Sequence, residues 1–216
     1  MRYAMLVLVL LVCSCRADLP TASGRAQSAS ETQQEATDVC VASDYWKMVE
    51  QSPTAIAAGP SGLIYVAFVE ENLVRVYDAN GVLSREVPLG VQPGRIAVDK
   101  DENLYVTTST APFIRKFDSN GLQVLAWGGG GLRNAALISA NSRGVSVVEF
   151  APVGRGPDQR NGTIHRFTED GVPLGNCKIS YGTFPLGIVS SGVGENEREY
   201  VATRGRDSRF GTVATY

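Results

Sequence analysis

From Pro53 onward the chain alternates apolar and polar positions in short runs, each closed by glycine, asparagine or aspartate. Ile64-Tyr-Val-Ala-Phe68 leads to Leu73-Val-Arg-Val-Tyr77 and then to the turn Asp78-Ala-Asn-Gly81. Such runs, rich in Val, Ile, Leu, Tyr and Phe, predict strands, and no apolar stripe of helical spacing interrupts them. The order then repeats. Pro53 to Val66 aligns with Pro93 to Val106, and Tyr77-Asp-Ala-Asn-Gly81 with Phe117-Asp-Ser-Asn-Gly121, at an offset of 40 residues. A looser third copy runs through Ala136–Ala140, Gly144–Phe150 and Gly162–Gly171, with an insertion at Ala151–Asn161. A fourth runs through Pro185–Val189, Glu199–Thr203 and Gly211–Tyr216. The Asn80-Gly81 and Asn120-Gly121 pairs predict tight hairpins in which both central residues take positive φ.

Each full unit is therefore a four-stranded antiparallel meander. One such sheet cannot bury both of its faces, and units of this length solve the problem by stacking radially into a β-propeller. The expected fold class is all-β, with four blades visible. Val41–Gln51 precedes Pro53 as Val82–Val91 precedes Pro93, so it reads as an outermost strand without a blade. The fourth copy lacks its outermost strand. The two fragments complement each other in a closed four-blade ring; the other expectation is four blades of a truncated six-blade propeller.

The N-terminus changes the picture. Arg2 precedes an unbroken apolar run, Tyr3 to Val12, too short for a hydrocarbon core of about 30 Å but of the right size for a secretory signal. It ends in Val12-Cys-Ser-Cys15, which resembles a bacterial lipobox, so residues 1–15 are expected to be a signal peptide with lipidation at Cys15. Arg16 in place of aspartate resembles an outer-membrane sorting signal. Residues 16–39, dominated by Ser, Ala, Thr, Gln and Glu, cannot bury enough surface to offset the entropy of ordering and read as a flexible tether. Residues 40–216 are the folded part, with Cys40 and Cys177 as a possible disulfide in an oxidising compartment. With 20 Lys and Arg against 22 Asp and Glu, the chain lacks the basic excess that a nucleic-acid backbone requires.

The pattern Pro-x-x-Ile-Ala-Val-Asp-x-x-x-Asn-Leu-Tyr-Val at Pro93–Val106, followed by the aromatic-Asp-x-Asn-Gly turn, resembles the NHL repeat propellers. The glycine-rich Trp127–Gly131 resembles their blade linker. The likeness covers Ser52–Tyr216 and is stronger in the first two units than in the last two. It implies a propeller fold but no one function, because such propellers include enzymes, protein-binding scaffolds and RNA binders. The chain departs from the related amidating lyases, whose zinc site needs three histidines: it has one, His165.

His165 sits mid-strand and reads as a strand-surface residue. Cys177 has no histidine neighbour in sequence and reads as structural. Gly128–Gly131 lack the Gly-Lys-Ser/Thr of a phosphate loop. Asp99, Asp101 and Asn103 mimic part of a calcium loop without its glycine or distal glutamate. In propellers, ligands gather where the loops joining second to third strands converge. Those loops carry Glu70, Glu71 and Asn72, then Ser109 and Thr110, then Glu149 and the Arg155–Arg160 insertion, and finally Arg204 and Arg206. The expected ligand-binding residues are Glu70, Asn72, Glu149, Arg204 and Arg206. The leading expectation is an exported, lipid-anchored monomer that binds a protein or carbohydrate through this loop face, without catalytic residues, metal or cofactor. The alternatives are a lactonase-like or lyase-like propeller enzyme, resembling the gluconolactonase and regucalcin type, with a divalent cation such as calcium in its channel, and a partial propeller without independent activity.

Overall fold

The computed structural model of the protein describes residues 52–129, 132, 135–150, 162–179, 184–191, 198–204 and 211–215. Among the described residues there are fifteen strands and no helix. Blade 1 comprises β1 (Pro53–Ala58), β2 (Ile64–Phe68), β3 (Leu73–Tyr77) and β4 (Leu83–Pro88), and blade 2 comprises β5 (Pro93–Val98), β6 (Leu104–Thr108), β7 (Ile114–Phe117) and β8 (Gln123–Trp127). Blade 3 holds β9 (Leu137–Asn141), β10 (Gly144–Phe150), β11 (Gly162–Phe167) and β12 (Pro173–Lys178); blade 4 holds β13 (Phe184–Ser191), β14 (Arg198–Arg204) and β15 (Gly211–Thr215). Every blade is an antiparallel meander in chain order, as the repeat predicts. The first strand of each blade packs on that of the next, β1 on β5, β5 on β9 and β9 on β13. Val41–Gln51 lies outside the described residues.

One register pair recurs in all four sheets: Ile56 opposite Val66, Ile96 opposite Val106, Ile138 opposite Val147, and Ile188 opposite Val201. The isoleucines of blades 2, 3 and 4 seat each blade on its predecessor, whereas Ile56 of blade 1 is exposed. Ile96 joins the buried cluster of Tyr65, Ala67, Val74 and Val76 from blade 1, Ile138 joins Ala97, Tyr105 and Ile114 from blade 2, and Ile188 packs on Val148 and Ile164 from blade 3. Burying a side chain of this size contributes about 1.5–3 kcal/mol. The core is thus a series of inter-blade seams. At the second seam Trp127 meets Tyr105 and Phe167 edge-on, with centroids 6.1 and 6.2 Å away.

The hairpins between third and fourth strands depart from the sequence expectation. Gly81 and Gly121 take positive φ (81° and 85°), whereas Asn80 and Asn120 do not. The reason is the aspartate two residues earlier. Asp78 Oδ1 accepts the N–H groups of Asn80 and Val82, both at 2.9 Å, and Asp118 Oδ1 accepts those of Asn120 and Leu122. This holds the first part of the turn in ordinary right-handed conformation and leaves only the glycine to bulge. Thr168 Oγ1 takes the same place in blade 3, facing the N–H groups of Asp170 and Val172.

Candidate functional site

The described residues expected to form the loop face fall on blades 1, 3 and 4, at the end where second strands turn into third. Glu70 is an exposed turn residue between β2 and β3. Asn72 adopts φ 57° in the same hairpin, and its carbonyl accepts the Leu89 N–H at 2.8 Å, so it shapes the turn. Its neighbour Glu71 pairs with Arg75 at 2.6 Å. Glu149, on β10, is largely buried and lies 2.8 Å from His165 Nε2 on β11. In the second hairpin, Thr110 lends its carbonyl to the Thr108 hydroxyl. Arg204 closes β14 opposite Gly211. Cys177 faces Ile164 across β11 and β12 and has no disulfide partner among the described residues. Cys15, Cys40, Arg206 and Arg155–Arg160 lie outside the described residues.

The calcium-like stretch is a closed structural knot. Asp99 is 2 % exposed. Its Oδ1 accepts the N–H groups of Asp101 and Asn103, and its Oδ2 accepts Asn103 Nδ2 and the Tyr105 hydroxyl, all at 2.9 Å. Among the described residues, no three His, Cys, Asp or Glu side chains converge as a metal-ligand set.

The opposite end of the blades holds a more distinctive feature. In the first seam, Ala57 and Tyr65, paired across β1 and β2, face Val98 and Leu104, paired across β5 and β6. In the second, Ala97 and Tyr105 face Ala140 and Val145. Both tyrosines are buried, at 1 % and 0 % exposure. Burial, reinforced by the acceptors Glu102 and Asp99, pushes both phenols well above their ordinary pKa, so each remains a proton donor. Tyr65 donates to Glu102 Oε2 of blade 2 at 2.6 Å. A cation stands over each ring, Arg85 at 5.9 Å from Tyr65 and Lys116 at 5.5 Å from Tyr105.

The third seam breaks this pattern. Where the others have Ala and Tyr it has Ser139 and Ser146, and where they have two apolar residues it has Ser190 and Glu199. Ser139 Oγ and Ser190 Oγ lie 2.7 Å apart across the seam, and Asn141 Nδ2 donates to Ser190 Oγ at 3.1 Å. Arg166 of β11 is the counterpart of Lys116, each lying beside its row's second-strand residue, Ser146 and Tyr105 respectively. With no phenol beneath it, Arg166 reaches across and donates Nε and Nη2 to Glu199 Oε2, at 3.0 and 2.9 Å. Glu199 is buried, with its side chain 7 % exposed; that of Arg166 is 39 % exposed.

Over this pair opens a cleft of about 410 Å³ lined by Asn141, Arg143, Gly144, Val145, Ser146, Arg166, Phe167, Leu174, Arg198 and Glu199, within the roughly 300–1,000 Å³ of ordinary ligand sites. Among the described lining residues the charged ones are three arginines and one glutamate, and Arg198 is exposed. Guanidinium groups in a partly desolvated recess bind carboxylates well because their donors match the carboxylate's geometry. None of Arg143, Ser146, Arg166, Arg198 or Glu199 stands out in the sequence, since each occupies an ordinary strand or turn position. The available signal was the column comparison: aligning the units places Ser139, Ser146, Ser190 and Glu199 at sites the earlier seams keep apolar or aromatic.

Fold and comparisons agree on the class: the chain is a β-propeller protein. It is similar to solved structures of hydrazine synthase from Kuenenia stuttgartiensis (TM-score 0.52, 16% identity, 82% of this chain and 56% of that one) and virginiamycin B lyase from Staphylococcus aureus (0.51, 17%, 80% and 59%). A third is BBS1N in complex with ARL6DN (0.53, 14%, 73% and 52%). At these identities the likeness concerns the fold alone, and the chain spans just over half the length of the structures it matches. No protein-family model and no curated protein sequence matches it.

Proposed function

We propose that the chain is an exported binding module of the NHL-like propeller kind, tethered to the cell envelope through Cys15, which recognises carboxylate groups of a partner protein at the cleft between blades 3 and 4. One observation carries this reading: the only one of the three seams to lose its tyrosine gains a recess lined by Arg143, Arg166 and Arg198. Protein binding is also what a propeller of similar fold does in the complex of BBS1N with ARL6DN. The tether rests on the apolar run Tyr3–Val12 and the lipobox-like Val12–Cys15. The loop face keeps a lesser part in this account, because Glu149 is paired with His165.

A glutamate-rich peptide, titrated into the purified full chain in mild detergent, tests the reading. Saturable binding that the double variant Arg143→Ala/Arg198→Ala abolishes is expected. Binding confined to an acidic oligosaccharide such as polygalacturonate would transfer the reading to carbohydrate, and binding that ignores both arginines would overturn the site. A second reading, a propeller enzyme, draws on the Glu149–His165 pair, a carboxylate positioned to orient an imidazole. Loss of a chemical activity in His165→Gln, with peptide binding intact, would favour it.

A further inference from the structure

The cleft has a shape as well as a charge, and its shape comes from a missing side chain. Tyr65 and Tyr105 fill the lower part of the first two seams with a buried ring, and a cation lies over each. Ser146 occupies the same register position in blade 3, opposite Ser139 as Tyr65 is opposite Ala57 and Tyr105 opposite Ala97. The cation of the second seam keeps its place as Arg166, and Leu174 adds apolar surface to the lining. What is absent is the ring.

We propose that this cleft receives an aromatic ring carrying a nearby carboxylate, the ring taking the space vacated by tyrosine and the carboxylate facing Arg143 and Arg198. The inference rests on the binding-module reading and specifies the chemistry that the same site accepts. The two preceding seams each bury a phenol beneath a cation, so seams of this architecture accommodate a ring. Arg166 is held by Glu199, which fixes it as part of the wall. Arg198 is exposed at the start of β14 and lines the mouth, where a guanidinium meets a carboxylate in a forked pair. Ser146 is 5 % exposed, so a ligand that reached it would be largely enclosed. Two sources present this chemistry: a free arylalkanoic acid and the C-terminal phenylalanine or tyrosine of a protein.

The test titrates the full chain with 3-phenylpropionate, with butyrate, which lacks the ring, and with 3-phenylpropanamide, which lacks the charge. Binding of the first, weakened at least about tenfold by either omission and by Arg198→Ala, is expected for a paired, desolvated carboxylate. Ser146→Tyr rebuilds the side chain of the other seams and should abolish binding while its urea midpoint stays at or above that of the parent protein. If that variant fails to fold, Arg143→Ala/Arg198→Ala replaces it. Peptides ending in phenylalanine, as free acid or amide, separate the sources: tighter binding of the free-acid peptide than of phenylpropionate assigns a protein C-terminus, and the reverse order assigns a small acid, either of which upholds the site. No saturable binding of phenylpropionate, or undiminished binding to Ser146→Tyr, overturns the inference. Arg198-dependent binding of a glutamate-rich peptide alongside that failure would leave the binding module standing.

Discussion

Arg166 sets two nitrogens within 3.0 Å of a single oxygen of Glu199, across the seam between blades 3 and 4. The glutamate is the buried partner and the arginine the half-exposed one. Removing the arginine therefore strands a buried charge, whereas removing the glutamate frees a group that water can reach. Arg166→Ala is expected to cost about 2–3 kcal/mol, with the cost of a lost buried pair reduced by the exposure of the arginine, and Glu199→Gln about 1 kcal/mol. Urea midpoints of the two variants check the order; equal losses would contradict it.

The first seam predicts a response to acid. Glu102 lies in the turn between β5 and β6 with φ 61° and accepts the Ser61 N–H at 2.8 Å and the Tyr65 hydroxyl at 2.6 Å, both from blade 1. Partial burial works to raise its pKa, but these hydrogen bonds together outweigh it, and the carboxyl titrates below its ordinary value. A depressed folded-state pKa means that the stabilisation is complete above the unfolded-state value of about 4.3 and disappears as pH falls through the lower folded value. Chemical unfolding at a series of pH values should show the parent protein converging on Glu102→Gln below about pH 4 and exceeding it at neutrality. A gap between the two that is independent of pH would refute the assignment.

Trp127 offers a contrast between shape and polarity. Its ring bridges blades 2 and 3 through Tyr105 and Phe167, while its buried Nε1 has no hydrogen-bond partner among the described residues. Phenylalanine keeps much of the packing and loses no bond, so Trp127→Phe should cost under about 1.5 kcal/mol, against about 3–5 kcal/mol for Trp127→Ala. Thermal unfolding of the pair measures the difference.

Gly144 opens β10 beside the cleft with φ 127°, and a Cβ there would stand 2.1 Å from the Phe167 carbonyl oxygen. Backbone strain and collision combine, with no flexible side chain available to yield. Gly144→Ala is expected to lose roughly 2–4 kcal/mol, measurable by urea unfolding; a loss within a few tenths would show that the turn accommodates a side chain.

The architecture was legible because a propeller writes its fold as repetition. Pro53 and Pro93, Tyr65 and Tyr105, and Asp78 and Asp118 recur at one spacing, and radial stacking is what such a meander needs to bury two faces. The turn chemistry was half legible: Asn-Gly marked the hairpins, but the capping carboxylate of Asp78 decided which residue goes left-handed. The proposed site was hidden for a different reason. Reading outward from loops favoured Glu70, Asn72, Glu149, Arg204 and Arg206; of these, Glu149 is paired with His165, and Asn72 holds its hairpin through its backbone carbonyl. Ser146 and Glu199 look unremarkable in a strand, and they acquire meaning only when set against Tyr105 and Val145 in the seam before them. A local rule kept twice and then broken is the signal on which the proposed site rests.

Hydrogen exchange of the full chain with and without 3-phenylpropionate tests the central claim most directly. Slowed exchange concentrated at the Asn141–Ser146 turn, Arg166–Phe167 and Arg198–Glu199 is the predicted result. Protection gathered instead at the other end, around Glu70–Asn72 and the Thr108–Ile114 hairpin, would contradict it.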